Sequence, residues 1–178
     1  MKILFISDIH GITTNLEYIK KTFEKQNCNL LVVLGDLYRS YVKNPDIDPL
    51  GVKDFLESFQ DKLICMQGNN DTVNDQMKSN FPILSDLSLI YIDNIPIYLT
   101  HGHRYNMRDH KKLKSGVLIY GHEHIPYIVQ DENMTYINTG SISTPRNHDF
   151  PTYTIYENNT FTIYNIKNEI IDSITIKK

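Results

Sequence analysis

Short apolar runs alternate with helical patterns in the first half of the chain. The runs at residues 2–7, 30–34 and 63–67 have the length and composition of strands that are buried on both faces of a parallel sheet. Between them, apolar residues at helical spacing predict one helix over about residues 15–25 and another that starts at Asp48 and Pro49. Thr14 followed by Glu17 predicts a capping box for the first helix. This βαβαβ order predicts a parallel sheet with right-handed crossovers.

The second half of the chain has the pattern of a β-rich region. Residues 88–92 and 95–100 predict a hairpin that turns at Asp93 and Asn94. Further strands are predicted at residues 117–120, 127–130, 134–138, 152–157, 160–166 and 170–176. Because no segment between them has the composition of a linker, we expect a single domain over residues 1–178.

Composition and charge exclude several classes of protein. The chain has 178 residues and a formal net charge of −3, without the long basic run that strong nucleic-acid binding requires. Cys28 and Cys65 form no CxxC pair, so we interpret both as reduced packing residues. The apolar start of the chain is interrupted at Asp8, too early for a signal peptide, and no apolar stretch is long enough to span a bilayer. We expect a cytoplasmic protein without a membrane partner.

Residues of the types that bind metal ions, Asp, Asn and His, follow five of the predicted strands. The five segments are Asp8-Ile9-His10, Gly35-Asp36, Gly68-Asn69-Asn70-Asp71, His101-Gly102-His103 and Gly121-His122-Glu123-His124. Each segment alone is more often an ordinary turn at the end of a strand. Ligands of α/β sheets bind beyond the carboxyl ends of the strands, however, so these side chains are expected to meet at one edge of the sheet. Their joint occurrence indicates a metal or catalytic site.

In this order the five segments resemble the signature blocks of the calcineurin-like metallophosphoesterase superfamily. The short chain, with NTGS at 138–141 and Pro145-Arg146, resembles its small YfcE-like phosphodiesterase branch. The resemblance covers nearly the whole chain. It implies two facing mixed β-sheets flanked by helices, a four-layer αββα arrangement, with a site for two metal ions at their upper edge.

The resemblance also implies a ligand set for each metal ion. One ion would be held by Asp8, His10, Asp36 and His124, and the other by Asp36, Asn69, His101 and His122, with Asp36 bridging. Oxygen and imidazole donors without thiolate suit Mn²⁺, our first expectation, and also Zn²⁺, Ni²⁺ or Fe. Two carboxylates and two divalent ions leave a net charge of +2. This surplus suits an anionic phosphate ester better than a closed structural site.

The implied reaction is hydrolysis of a small phosphodiester by in-line attack of a hydroxide that bridges the two metal ions. Most members of the superfamily have a histidine where this chain has Asn70, and an amide cannot deliver a proton to the leaving group. His103 is therefore a second candidate catalytic residue beside Asn70. Candidates for contact with phosphate oxygens are the arginines Arg39, Arg104 and Arg146. The tyrosines Tyr38, Tyr41 and Tyr105 are candidates for stacking on an aromatic leaving group, and Asp71 is expected to orient its loop.

Two other functions fit the same sequence. A phosphomonoesterase or nucleotide hydrolase would use the same site. The retromer subunit Vps29 shares the fold and serves as a protein-binding scaffold, so the fold alone does not establish catalysis. Vps29 departs from the pattern at the second and third segments, where this chain retains Gly35-Asp36 and Gly68-Asn69, which favours the enzyme. By resemblance, we also expect a homodimer.

Overall fold

A computed structural model describes residues 1–39, 45–84, 86–109 and 113–177. In these ranges the elements are β1 (Ile3–Ile6), α1 (Leu16–Lys25), β2 (Leu30–Val33), α2 (Pro49–Glu57), a 3₁₀ turn (Gln60–Lys62), β3 (Leu63–Met66), α3 (Val73–Lys78), β4 (Ile83–Leu84), β5 (Leu87–Ile92), β6 (Ile95–Thr100), β7 (Gly116–Tyr120), β8 (Pro126–Gln130), β9 (Met134–Thr139), β10 (Thr152–Glu157), β11 (Thr160–Asn165) and β12 (Ile170–Thr175). None of the described helices has the length and apolar character needed to cross a membrane.

The strands form two mixed sheets that face each other. The first sheet has the order β12-β11-β10-β1-β2-β3-β4 and the second has the order β5-β6-β7-β9-β8. Strands β1 to β4 run parallel, as do β6, β7 and β9, whereas the other pairs are antiparallel. Phe5 and Val32 of the first sheet share one buried cluster with Ile97 and Val117 of the second. The predicted fold of two facing mixed sheets is confirmed.

The two sheets are covered differently on their outer faces. Leu16 and Ile19 of α1 and Val52 of α2 pack in one cluster with residues of the first sheet such as Leu4 and Leu31. On the second sheet, a separate cluster contains Leu118, Tyr120, Met134 and Tyr136, with Met107 and Leu113 packed against it. The helices α1 and α2 therefore cover the first sheet, and the described part of the segment after β6 covers the second.

One of the two predicted helix starts has a different cap in the structure. The predicted capping box of Thr14 and Glu17 is wrong, because α1 begins after Asn15, whose side chain makes no capping hydrogen bond. The Asn15 amide instead donates to the Ile142 carbonyl at 2.8 Å, a tertiary contact that no local pattern reveals. The predicted start of the second helix is confirmed, because Asp48 caps α2 by accepting from the Gly51 N–H at 2.8 Å.

The five ligand-bearing segments follow strands of both sheets. Three of them follow β1, β2 and β3 of the first sheet, and two follow β6 and β7 of the second. The sequence pattern suggested a single sheet edge, because five strand ends in one parallel sheet would meet there. The site lies instead where the carboxyl ends of parallel strands from the two sheets come together.

Candidate metal centre

The turns after the strands hold their ligand residues in the left-handed backbone region. Asp8, His10, Asp36, His122 and His124 have φ angles of 57°, 53°, 57°, 65° and 60°. Non-glycine residues rarely adopt this region, and each such residue costs about 1–3 kcal/mol unless its surroundings enforce it. Backbone hydrogen bonds enforce it at β1, where the Asp8 N–H donates to Gly35 O at 3.1 Å and the His10 N–H donates to Asp36 O at 2.9 Å. Strain of this kind is concentrated at functional sites.

Two glycines allow these turns to touch. A Cβ atom on Gly121 would lie 2.0 Å from the Ser7 hydroxyl oxygen and 2.5 Å from Asp8 Oδ2. A Cβ atom on Gly68 would lie 2.2 Å from both the Asp36 amide nitrogen and Asp36 Oδ1. Only glycine permits these approaches. Gly121 therefore brings a loop of the second sheet against Asp8 of the first sheet, and Gly68 brings the loop after β3 against Asp36 in the loop after β2.

Three imidazole nitrogens converge on one buried carboxylate oxygen. Asp8 is fully buried, and its Oδ1 has no partner with hydrogen-bond geometry among the described residues. The Nε2 atoms of His124, His10 and His101 nevertheless lie 3.1, 3.6 and 3.9 Å from this oxygen. A buried anionic oxygen without a donor is costly. A cation between these atoms would satisfy it.

The second ring nitrogens of two of these histidines fix their tautomers. His101 Nδ1 lies 2.7 Å from the Leu34 carbonyl oxygen, and His124 Nδ1 lies 2.5 Å from the Thr144 carbonyl oxygen. Since a carbonyl only accepts hydrogen bonds, Nδ1 carries the proton in the neutral ring and Nε2 keeps its lone pair. Nε2 is therefore the atom through which either ring would coordinate a metal ion, in place of any proton that it carries in the metal-free protein.

Asp36 connects two groups of potential ligands. Its Oδ2 atom lies 3.4 Å from His101 Nε2 and 3.6 Å from His10 Nε2. Potential ligand atoms lie within 4.8 Å of one another in two groups, Asp8 with His10 and His124, and Asp8 with Asp36 and His101. Asp8 belongs to both groups and Asp36 contacts a histidine of each. This placement fits two adjacent ions.

The two remaining predicted ligands lie beside the second group. Asn69 Oδ1 is 3.1 Å from His101 Nε2. The ring centroid of His122 is 5.1 Å from that of His101, and its backbone N–H donates to Asp8 Oδ2 at 2.9 Å. The fold therefore brings all seven predicted metal ligands into one cluster, whose members are Asp8, His10, Asp36, Asn69, His101, His122 and His124.

Electrostatics also favour positive charge at the centre. Burial alone would lower the pKa of His101, but its hydrogen bond to Asp36 and the charges of Asp8 and Asp36 raise it to about 9. Burial alone would raise the pKa of Asp36, but hydrogen bonds with His101 and Asn70 hold it below its usual value. For His10, burial outweighs the nearby carboxylates and lowers the pKa to about 4. Two ionised carboxylates thus surround a space that a divalent ion would fill.

The two candidate catalytic residues have different surroundings. The Asn70 amide donates to Asp36 Oδ2 at 2.6 Å, and the Asn70 backbone N–H donates to Asp36 Oδ1 at 2.8 Å. Asn70 therefore supports Asp36. The ring centroid of His103 lies 5.5 Å from that of His101, and His103 Nε2 lies 3.8 Å from Asp86 Oδ1. His103 is thus placed between the metal centre and Asp86.

The candidate arginines also differ in placement. Burial is the main cause of the low pKa of His10, and the charge of Arg39 lowers it further. The Nε atom of Arg39 is buried and has no hydrogen-bond partner among the described residues. Arg146 is exposed, and its backbone N–H donates to the His124 carbonyl at 3.1 Å. Arg104 forms an ion pair with Asp86 at the surface.

The tyrosines predicted to stack on an aromatic leaving group differ in how much of the ring is accessible. Tyr38 is 3% exposed, and its hydroxyl forms a hydrogen bond with Ser79 at 2.8 Å. This burial leaves its ring little surface for a ligand, so the stacking hypothesis for Tyr38 is not supported by its position. Tyr105 is half-buried. Tyr41 lies outside the described residues.

Several supporting residues carry no motif that could have identified them. The Ser141 hydroxyl donates to the Asp8 carbonyl at 2.9 Å, and Thr144 supplies the carbonyl that orients His124. Ser141 is the last residue of the NTGS segment and Thr144 follows it by three residues, so this segment is the one available signal. Asp86 and its contacts could not be found from sequence, because the residue lies in an ordinary connection between β4 and β5.

Comparison with known proteins agrees with this geometry. A family model described as the calcineurin-like phosphoesterase superfamily domain matches residues 1–160. The phosphodiesterase YfcE of Escherichia coli is 30% identical over 175 residues, which cover 96% of this chain and 95% of YfcE.

Solved structures have the same fold. YfcE, a phosphoesterase from E. coli, matches with a TM-score of 0.92 and 30% identity over 99% of this chain and 100% of that one. Vps29 of Entamoeba histolytica, solved in complex with Zn²⁺, matches with a TM-score of 0.65 and 17% identity over 98% of both chains. At that identity the second match concerns the fold alone.

Proposed function

The chain belongs to the calcineurin-like phosphoesterase superfamily, and on this premise we propose that it is a metal-dependent phosphodiesterase that acts on small phosphodiesters. The observation that carries the proposal is the convergence of three imidazole Nε2 atoms on Asp8 Oδ1, with Asp36 beside them. This donor set fits divalent ions and has no evident use without them. The similarity to YfcE supports the choice of a diester substrate.

Different residues of the centre would bind the metal ions and the phosphate group of the substrate. Asp8 and Asp36 supply the negative charge, and the imidazoles of His10, His101 and His124 would supply nitrogen donors, with a metal ion in place of the proton on His101 Nε2. Two divalent ions bound there would supply the charge that activates water and neutralises phosphate oxygens. Arg39 comes three residues after Asp36, and its buried Nε atom has no hydrogen-bond partner among the described residues, so it is our first candidate to hold a further phosphate oxygen. We keep Arg146 as a second substrate-binding residue of the proposal.

We propose Mn²⁺ as the resident ion, because the seven ligands offer oxygen and imidazole donors without thiolate. We propose a cytoplasmic location as well, which is supported by the two buried free thiols of Cys28 and Cys65. A homodimer remains part of the proposal through the family resemblance.

The decisive experiment compares wild type with Asp36→Asn. Protein is stripped with a chelator, reloaded with Mn²⁺, and assayed on bis-p-nitrophenyl phosphate. We expect hydrolysis by the loaded wild type only, and a loss of more than about a hundredfold in Asp36→Asn, because the change replaces a carboxylate ligand with a neutral amide and removes half of the carboxylate charge. Asp54→Asn, on the exposed face of α2, is the matched control. Loaded wild type that hydrolyses neither diesters nor monoesters would refute the enzymatic proposal.

The runner-up activity, a phosphomonoesterase or nucleotide hydrolase, is distinguished by the ratio of kcat/KM for diester and monoester substrates. We expect the diester to be preferred. A scaffold role like that of Vps29 is less supported, because the full ligand set is present. A protein with only that role would bind a partner and would show no metal-dependent turnover.

Residue 70 should determine how strongly turnover depends on the pKa of the leaving group. Asn70 cannot donate a proton as an acid, so the enzyme is expected to favour diesters with good leaving groups such as nitrophenol. Asn70→His should increase turnover of poor leaving groups relative to good ones, by up to about 10²-fold. The measurement is kcat against leaving-group pKa for both proteins. An unchanged slope in the variant would contradict this role of position 70.

A further inference from the structure

Glu123 lies between two predicted metal ligands, His122 and His124, but belongs to neither group of ligand atoms. Its Oε2 atom instead accepts a hydrogen bond from the Tyr127 hydroxyl at 2.8 Å. The Glu123 backbone N–H donates to Gly121 O at 2.7 Å, which closes the turn on itself. The carboxylate thus anchors the turn through β8, a strand of the second sheet.

The hydrogen bond to Glu123 is the last of a directed series. A carboxylate only accepts, so Tyr127 donates to it and leaves its own oxygen to accept from Tyr120, whose hydroxyl lies at 2.7 Å. The Tyr120 oxygen in turn accepts the Met107 N–H at 3.2 Å. Burial raises the pKa of Tyr120 and of Tyr127, so both hydroxyls remain donors. Bonds that all point toward one negative charge strengthen one another.

A buried amide holds the same turn from the other side. Asn138 is fully buried, and its Nδ2 donates to Gly121 O at 2.7 Å and lies 3.4 Å from Glu123 Oε2. Its Oδ1 accepts from the Gly140 N–H at 2.9 Å. The turn that carries two ligands is therefore tied to β8 and β9, while Met107 belongs to the segment that follows His103.

We propose that Glu123 is a positioning residue that, through Tyr127 and Tyr120, fixes the His122–His124 turn and connects it to the segment of Met107. The inference rests on the metal site of the proposed function. Two loops that flank the metal centre, one after β6 and one after β7, are joined by a single series of hydrogen bonds that ends at this carboxylate. Breaking the series should loosen two ligands at once and weaken metal binding without removing any ligand.

The test measures Mn²⁺ binding directly. Chelator-treated wild type, Tyr127→Phe and Glu123→Ala are titrated with MnCl₂ by calorimetry. We expect Mn²⁺ affinity to fall by about 10- to 100-fold in both variants, as is typical when the partners of metal ligands are removed. Glu123→Gln keeps an oxygen that can accept from Tyr127, so it should restore most of the affinity. Tyr136→Phe is the matched control, because Tyr136 lies in the same apolar cluster but donates to Asp131 at 3.1 Å.

Each outcome decides the inference. Glu123→Ala or Tyr127→Phe that binds Mn²⁺ like wild type and like Tyr136→Phe would overturn it, as would equal losses in all three variants. If Tyr127→Phe does not fold, Glu123→Ala alone gives the answer, since its change leaves both tyrosine rings in place. Wild type that binds no Mn²⁺ would overturn both this inference and the proposed function. Weakened metal binding in a protein without diesterase activity would support the inference and refute the proposed function alone.

Discussion

The Asp71 carboxylate is held by backbone N–H groups of two loops beside the centre. Its carboxylate accepts from the backbone N–H groups of Asp36 at 2.8 Å, Leu37 at 2.7 Å and Gly68 at 2.8 Å. The sequence predicts that Asp71 orients its loop, and these contacts agree with that role. Because one side chain joins the loops after β2 and β3, it determines where the Asp36 carboxylate lies.

We expect Asp71→Asn to destabilise the metal-free protein by about 1.5–3 kcal/mol, because an amide has one accepting oxygen and turns an N–H group toward the other donors. The measurement is the free energy of unfolding from urea denaturation. Asp54→Asn, with an exposed carboxyl group, serves as the control and should change it by less than about 0.5 kcal/mol. Equal stability of the two variants would contradict the role given to Asp71.

Among the α-helices of the described residues, α3 is the one that the sequence pattern does not predict. It has six residues, and its apolar side chains Val73 and Met77 are 75% and 80% exposed. A helix so short, with its apolar residues turned outward, has no periodicity to detect. By contrast, the apolar runs predicted the bounds of the main strands closely, because buried strands need continuous apolar sequence.

A true capping box holds this short helix. The Thr72 hydroxyl accepts from the Asp75 N–H at 3.2 Å, and the Asp75 carboxylate accepts from the Thr72 N–H at 2.8 Å. We expect Thr72→Ala to lower the free energy of unfolding by about 0.5–2 kcal/mol, as is usual for a lost N-cap. Thr14→Ala, at the exposed threonine before α1, should have almost no effect. A larger loss in Thr14→Ala than in Thr72→Ala, measured by thermal or urea unfolding, would reverse this assignment of the caps.

On the scale of the whole molecule, the metal centre links the two sheets. Asp8 and Asp36 follow strands of the first sheet, whereas His101 and His124 follow strands of the second. Ions bound between them would join the sheets at their carboxyl ends, and the folded state alone assembles this site. Metal binding should therefore stabilise the fold.

We expect each Mn²⁺ ion, at about a thousandfold its Kd, to stabilise the protein by about 4 kcal/mol. At about 2–4 °C per kcal/mol for a chain of this size, Tm should rise by about 8–16 °C for each occupied site and return to its starting value when EDTA is added. Differential scanning calorimetry measures this shift. Asp36→Asn should lose most of it, and a wild-type Tm that does not respond to Mn²⁺ or EDTA would show that no ions join the sheets.

The sequence by itself determined the described strands other than the two-residue β4, the first two helices and the residue types at five strand ends, because these features depend on local patterns of burial and on side-chain chemistry. Only the tertiary structure decided that the five ends belong to two sheets, that Asn70 supports Asp36, and that Asp86, Thr144 and the Glu123 series of hydrogen bonds surround the centre. Those contacts join residues that are far apart in the chain and depend on loop conformations, which no local pattern encodes.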